Sequence, residues 1–291
     1  MSNTVNTVRC DDSTDFLISR ANVKGSRTFD GWYKLASLYS YCSITKTTDR
    51  LPALSGIVST IAGFTHEQYY AGVWEHAILE GLSWSLTHKR LNGSSLRNAE
   101  YIAPTWSWLA FGSQVMFAFR SGRIKSHCAT VENIAVECKG HNKYGEIVAG
   151  SLELNASTPL MKIDDSRKYV VGRLNADIDG HLELFRVRLS LDYKNLPADW
   201  TIEIAVLYCY CATEKDGVLF YINALVLRRL ENDTYHRIGH LDSYISTALD
   251  PTKRLEETIK EEGGFSTGYL ENVEFMVKYM ENLPKKRFTI I

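Results

Sequence analysis

No stretch of this chain reaches 18 consecutive apolar residues, so nothing in it predicts a membrane-spanning helix. The first thirty residues, opening MSNTVNTVRCDDSTDF, have neither the basic start nor the apolar core of a signal peptide. Neither sign of charge prevails. Against 33 Lys and Arg stand 34 Asp and Glu, a formal net charge of −1, which leaves no global field to recruit nucleic acid or an acidic membrane. Cysteine is thin: Cys10, Cys42, Cys128, Cys138, Cys209 and Cys211 are scattered through a long chain, the distribution of reduced thiols in a cytoplasmic protein and not of a disulfide scaffold. Compact catalytic signatures are missing too. There is no G-x-S-x-G elbow, no P-loop and no dinucleotide fingerprint, which turns the expectation away from phosphoryl and hydride transfer and from a nucleotide cofactor.

What the chain has is material for a core. Hydrophobic residues make up 45% and charged residues 23%, the balance of a globular protein, and 16 Tyr, 11 Phe and 6 Trp could line both a core and a pocket. Residues 1–30 are polar and aperiodic and read as an irregular arm; residues 31–291 read as one α+β domain. Residues 31–90 carry a helical period. Trp32, Leu35, Ala36, Tyr39 and Cys42 form one stripe. Asp49 stands where an N-cap belongs and Pro52 in the first turn, with Leu54, Ile57, Val58 and Ile61 behind them and Gly63 as the stop. Tyr70, Val73, Trp74, Ala77, Gly81 and Trp84 suggest a third helix.

After residue 100 the period falls to two. Residues 131–138, 147–154 and 182–191 alternate, 201–211 and 218–229 are apolar on both faces as interior strands are, and 234–241 follows an Asn232-Asp233 turn. Residues 250–283 return to helix, and Lys285-Lys286-Arg287 reads as a solvated end. This order predicts N-terminal helices packed on a mainly antiparallel β-sheet or barrel (130–241), with C-terminal helices, and not a parallel α/β fold.

Few residues point to chemistry. Trp106 and Trp108, two apart, share a face if extended and would either wall a pocket or plug the junction of helices and sheet. Asp49-Arg50 is a charged pair at a pocket mouth or, more simply, a helix cap beside a solvated or bridging arginine. Cys209-x-Cys211 and His236-x3-His240 each put two ligands on one strand face, yet lack the tight loop of structural zinc sites, so no metal is expected.

Four stretches resemble a known family. Trp32 to Ile57 (WYKLASLYSYCSITKTTDRLPALSGI), Tyr69 to Trp84 (YYAGVWEHAILEGLSW), Ala103 to Leu109 (APTWSWL) and Ala224 to Gly239 (ALVLRRLENDTYHRIG) are similar to the ordered motifs of the C-terminal region of fungal heterokaryon-incompatibility (HET) proteins. In that family the HET domain, which carries the cell-death signalling, precedes the first motif, and residues 1–30 are too few to hold it. The resemblance therefore implies a fold more directly than an activity.

It leaves three functions open, and an aromatic-rich chain without a compact catalytic motif favours the first. The first is a cofactor-independent cyclase of fungal secondary metabolism, similar to stand-alone proteins of the norbornene-forming Diels–Alderase type, acting on a hydrophobic terpenoid or polyketide intermediate. A pericyclic reaction needs neither nucleophile nor metal. Trp74, Trp106 and Trp108 would hold the substrate near its attack geometry, while Tyr101, His236 or His240 would donate a hydrogen bond to the activated carbonyl. The second is a regulatory module that partners a HET protein, and the third a non-catalytic carrier of a lipid or metabolite.

Overall fold

A computed structural model describes residues 28–42, 44, 46–87, 100–117, 123–159, 161–163, 169–175, 182–188, 190–192, 197–214, 217–244, 277–278 and 280–291. The expected arm, residues 1–27 of it, and most of the expected C-terminal helices, residues 250–276, lie outside these described residues.

Two helices open the chain. Helix α1 (Thr28–Tyr41) buries Trp32, Tyr33, Ala36 and Ser40, three- and four-residue steps on one face. A 3₁₀ turn (Thr47–Asp49) leads into α2 (Arg50–Thr65), which buries Arg50, Leu51, Leu54 and Val58. Asp49 does occupy the N-cap position, but its side chain makes no capping bond, and the helix runs two residues past Gly63 to a left-handed His66.

The third expected helix is a correction. Tyr69–Tyr70 (β1) and Val73–Trp74 (β2) form a two-stranded hairpin, followed by a 3₁₀ turn (Glu75–Ala77), the one-turn helix α3 (Ile78–Gly81) and strand β3 (Trp84–Leu86), which pairs with β4 (Val115–Phe117). Ala71 and Gly72 both take positive φ, 43° and 105°, the requirement of a tight two-residue hairpin. Such a turn sets Tyr70 opposite Val73, and this cross-strand pair mimics the three-residue step of a helix.

Beyond residue 123 most of the described residues are strand. In order these are β5 (Arg123–His127), β6 (Ala129–Cys138), β7 (Ile147–Ser157), β8 (Met161–Ile163), β9 (Tyr169–Asn175), β10 (Leu182–Arg188), β11 (Ser190–Leu191), β12 (Ile202–Glu214), β13 (Gly217–Arg229), β14 (Thr234–Tyr244) and β15 (Lys285–Ile290). Strands β8, β9 and β10 make a small antiparallel sheet of their own. The main sheet runs β5-β12-β13-β14-β15-β7-β6, antiparallel throughout except for β14 and β15. Ser157 of β7 also bridges to Val206 of β12, so β7, β12, β13, β14 and β15 close into a circuit of five strands. The fold is α+β, with a large, mainly antiparallel sheet.

Residues 285–287 are solvated in part, with Lys285 and Arg287 exposed, but they open strand β15 and are not a mere end. The strand fills the gap between β7 and β14, burying Phe288 and Ile290, while Lys286 pairs with Glu203 at 2.6 Å and Arg287 with Glu132 at 2.7 Å. Three adjacent cations masked a strand whose alternate residues face inward.

Alternate residues of β13 enter two hydrophobic clusters. Tyr221, Leu225 and Leu227 join the one that holds five tryptophans and the buried faces of α1 and α2; Phe220, Ile222, Ala224 and Val226 join one closed by Met280 and Leu283. The helical part and the sheet thus share the larger cluster.

Candidate functional site

Gly72 is where the first three motif stretches meet. Its carbonyl accepts the indole N–H of Trp32 at 3.1 Å and that of Trp108 at 3.0 Å. Next to it, Ser107 Oγ donates to the carbonyl of Ala71 at 2.5 Å, and Trp84 Nε1 donates to the carbonyl of Trp106 at 3.2 Å. Only glycine serves here: a Cβ on residue 72 would stand 2.5 Å from Trp108 Nε1, at a φ that other residues avoid.

The fourth stretch enters through Arg237, which is fully buried. Its Nη1 donates to the Leu82 carbonyl at 2.8 Å, its Nη2 to the Trp84 carbonyl, and its guanidinium lies 3.2 Å from the centre of the Trp84 ring. Its backbone N–H donates to Thr105 Oγ1 at 3.0 Å, and that hydroxyl in turn donates to the carbonyl of Ile291. The four motif stretches are bonded to one another.

Arg237 has one anionic neighbour, Asp192, just past β11. Asp192 Oδ2 lies 3.3 Å from Arg237 Nε, a charge contact and not an aligned hydrogen bond, and neither carboxylate oxygen accepts a hydrogen bond among the described residues. Burial pushes the Asp192 carboxyl up to about 6 against the pull of Arg237, and brings Arg237 down to about 10.

A second buried polar group adjoins this pair. Asn223 Oδ1 meets Ser83 Oγ at 2.9 Å and His240 Nε2 at 3.2 Å, and Ser83 Oγ meets the Tyr208 hydroxyl at 2.9 Å. Burial, reinforced by the Arg237 charge, holds His240 well below its ordinary range, and burial pushes the Tyr208 hydroxyl up. Both are therefore neutral near pH 7. The cluster can orient and hydrogen-bond; it cannot shuttle a proton without a large penalty. Asn223 Nδ2 has no partner, so whichever way the amide is turned one of its ends stays unbonded among the described residues.

Against the residues singled out in the sequence, the placement is mixed. Trp74, Trp106 and Trp108 are all 0% exposed and lie in the same cluster. Trp106 and Trp108 do not form a flat wall, because Trp108 opens a 3₁₀ turn (Trp108–Ala110). Tyr101 lies at the surface, 44% exposed. His236 and His240 do not share a face. Val226 pairs with Gly239 and Leu227 with Arg237, leaving Ile238 as an extra residue that reverses the alternation, so His236 points away from the Arg237–His240 side. A similar irregularity near Leu207 sets Cys209 and Cys211 beside Ile204 and Val206 in the second cluster.

Among the described residues no group of three His, Cys, Asp or Glu side chains is placed to hold a metal ion. A surface groove of about 650 Å³ runs past Trp200, Arg228, Leu230 and Glu231, with the Arg228 guanidinium 4.0 Å from the Trp200 ring centre. No helix among the described residues is long and apolar enough to cross a membrane.

No protein-family model, curated protein or solved structure matches the chain. Sequence reasoning missed Ser83, Asp192, Tyr208, Asn223 and Arg237. Only Arg237 and Asn223 left a signal, as polar residues within or beside strands otherwise read as interior.

Proposed function

We propose that this chain is a non-catalytic interaction module related to the C-terminal region of HET incompatibility proteins, and that its partner is a HET-type signalling domain. One observation carries this reading: the family-like motifs spend their side chains on each other. Trp32, Trp84 and Trp108 donate to backbone carbonyls inside the core, and Arg237 ties β14 to the segment before β3. A pattern used in this way specifies a scaffold whose outer surface is left for a partner. The test is to mix the purified chain with a separately expressed HET domain and measure association by calorimetry and sedimentation. Binding in the micromolar range supports the module; two independently sedimenting species at tens of micromolar reject it.

A cofactor-independent cyclase is the second reading, and the Asn223 amide favours it. Its unbonded end, flanked by neutral Tyr208 and His240, is a group that could orient a carbonyl-bearing terpenoid or polyketide intermediate. A thermal-shift screen against such hydrophobic compounds separates the two readings, since a ligand of the folded state raises the melting temperature by mass action. The module predicts no shift.

A further inference from the structure

We propose that Arg50 anchors a binding site for a single oxyanion group, a carboxylate or phosphate of a small ligand, at the corner between α1 and α2. Arg50 is the first residue of α2 and only 4% exposed, yet its Nε and Nη2 have no hydrogen-bond partner among the described residues. These two N–H groups lie on one edge of the guanidinium, the edge that grips two oxygens of an oxyanion at once. Elsewhere in this chain the same edge is in use: Arg229 presents its Nε and Nη2 to Asp233 at 2.8 and 2.6 Å. The other buried arginine, Arg237, has two backbone carbonyls and Asp192. Arg50 alone of the two has no anion, and burial accordingly holds its guanidinium below its ordinary range.

Asp49 does not supply the missing charge. It is exposed, and no ion pair joins it to Arg50. The corner is nonetheless rigid, because the Tyr39 hydroxyl donates to the Arg50 carbonyl at 2.7 Å while the Tyr39 ring meets Trp108 edge-on at 6.3 Å. The turn that leads into Arg50 carries exposed Lys46, Thr47 and Thr48, one cation and two hydroxyls. A buried guanidinium with no counter-charge is costly, and an oxyanion admitted to its unpartnered edge, which is sealed from solvent as it stands, removes that cost. The site does not depend on the module reading; it would serve either function.

Thermal unfolding of the whole chain tests the site in sodium chloride, sodium phosphate and sodium acetate at matched ionic strength and pH. Wild type should melt several degrees higher in phosphate, in acetate or in both, with a saturable concentration dependence, and the salt that acts identifies the oxyanion. Arg50→Met should lose this response and, in chloride, melt at or above the wild-type temperature. Arg50→Lys, which keeps the charge without the two-pronged edge, should show a response at least several-fold weaker, and decides the matter if Arg50→Met does not fold. An equal response in wild type and Arg50→Lys reports a general salt effect and overturns the proposal. So does the absence of any response in wild type.

Discussion

Trp108→Ala and Gly72→Ala, made singly and together, test the contact at the centre of the fold. The Trp108 indole is wholly buried, and removing a large aromatic from such a site costs roughly 3–5 kcal/mol, about 10 °C in melting temperature for a chain of this size. The Gly72 carbonyl keeps the Trp32 indole as a donor, so the loss is one of packing and one hydrogen bond. Gly72→Ala should be as damaging for two separable reasons. The new methyl would sit 2.5 Å from Trp108 Nε1 and 2.9 Å from Trp108 Cδ1, and φ is +105°. Overpacking of this kind costs roughly 1–3 kcal/mol and a left-handed non-glycine residue roughly 1–3 kcal/mol more. Deleting the indole relieves the first cost and leaves the second. The double variant should therefore be more stable than the sum of the singles by about 1–3 kcal/mol, measured by urea unfolding followed by circular dichroism. Additivity within about 0.3 kcal/mol would show that the indole does not lie on Gly72.

Asp192 gives a pH signature. Its folded-state value of about 6 is above the ordinary 3.8, so its contribution is favourable below about pH 4 and is lost as pH rises through 6. Relative to wild type, Asp192→Asn should gain about 3 kcal/mol between pH 4 and pH 7; a loss over that range would mean that the attraction of Arg237 outweighs burial. Phe288→Ala should cost roughly 3–5 kcal/mol because β15 closes the strand circuit, whereas Lys286→Ala, half-exposed near the start of the same strand, should cost about 1 kcal/mol or less. Equal effects from the two would place β15 outside the core.

The parts of the fold legible in the sequence were those where one periodicity acts alone. Strands β6 and β7 showed through their alternation, β12 and β13 as runs apolar on both faces, β14 behind its turn, and α1 and α2 through their stripes. The hairpin at 69–74 was hidden because a two-residue turn brings residues three apart together, as a helix does. Strand β15 was hidden by Lys285, Lys286 and Arg287, of which Lys286 and Arg287 reach acidic partners on β12 and β6 that only the fold supplies. The placement of His236 and His240 failed for a smaller reason: one extra residue, Ile238, reverses every later side chain on that strand, and no local pattern announces it. The polar cluster was illegible because its members come from residues 83, 192, 208, 223, 237 and 240 and acquire meaning only when β11 to β14 and the segment before β3 are assembled.

The central claim, that the motif tryptophans are locked in the core and do not line a pocket, is tested most directly by hydrogen exchange of the indole N–H groups in a ¹⁵N-labelled sample. Trp32, Trp84 and Trp108 donate to Gly72, Trp106 and Gly72 carbonyls respectively, all within the buried cluster. The account predicts that these three indoles exchange only through global unfolding, with the free energy measured by urea denaturation. Exchange of any of them within seconds under native conditions, or a selective change in its rate on adding a hydrophobic ligand, would contradict it.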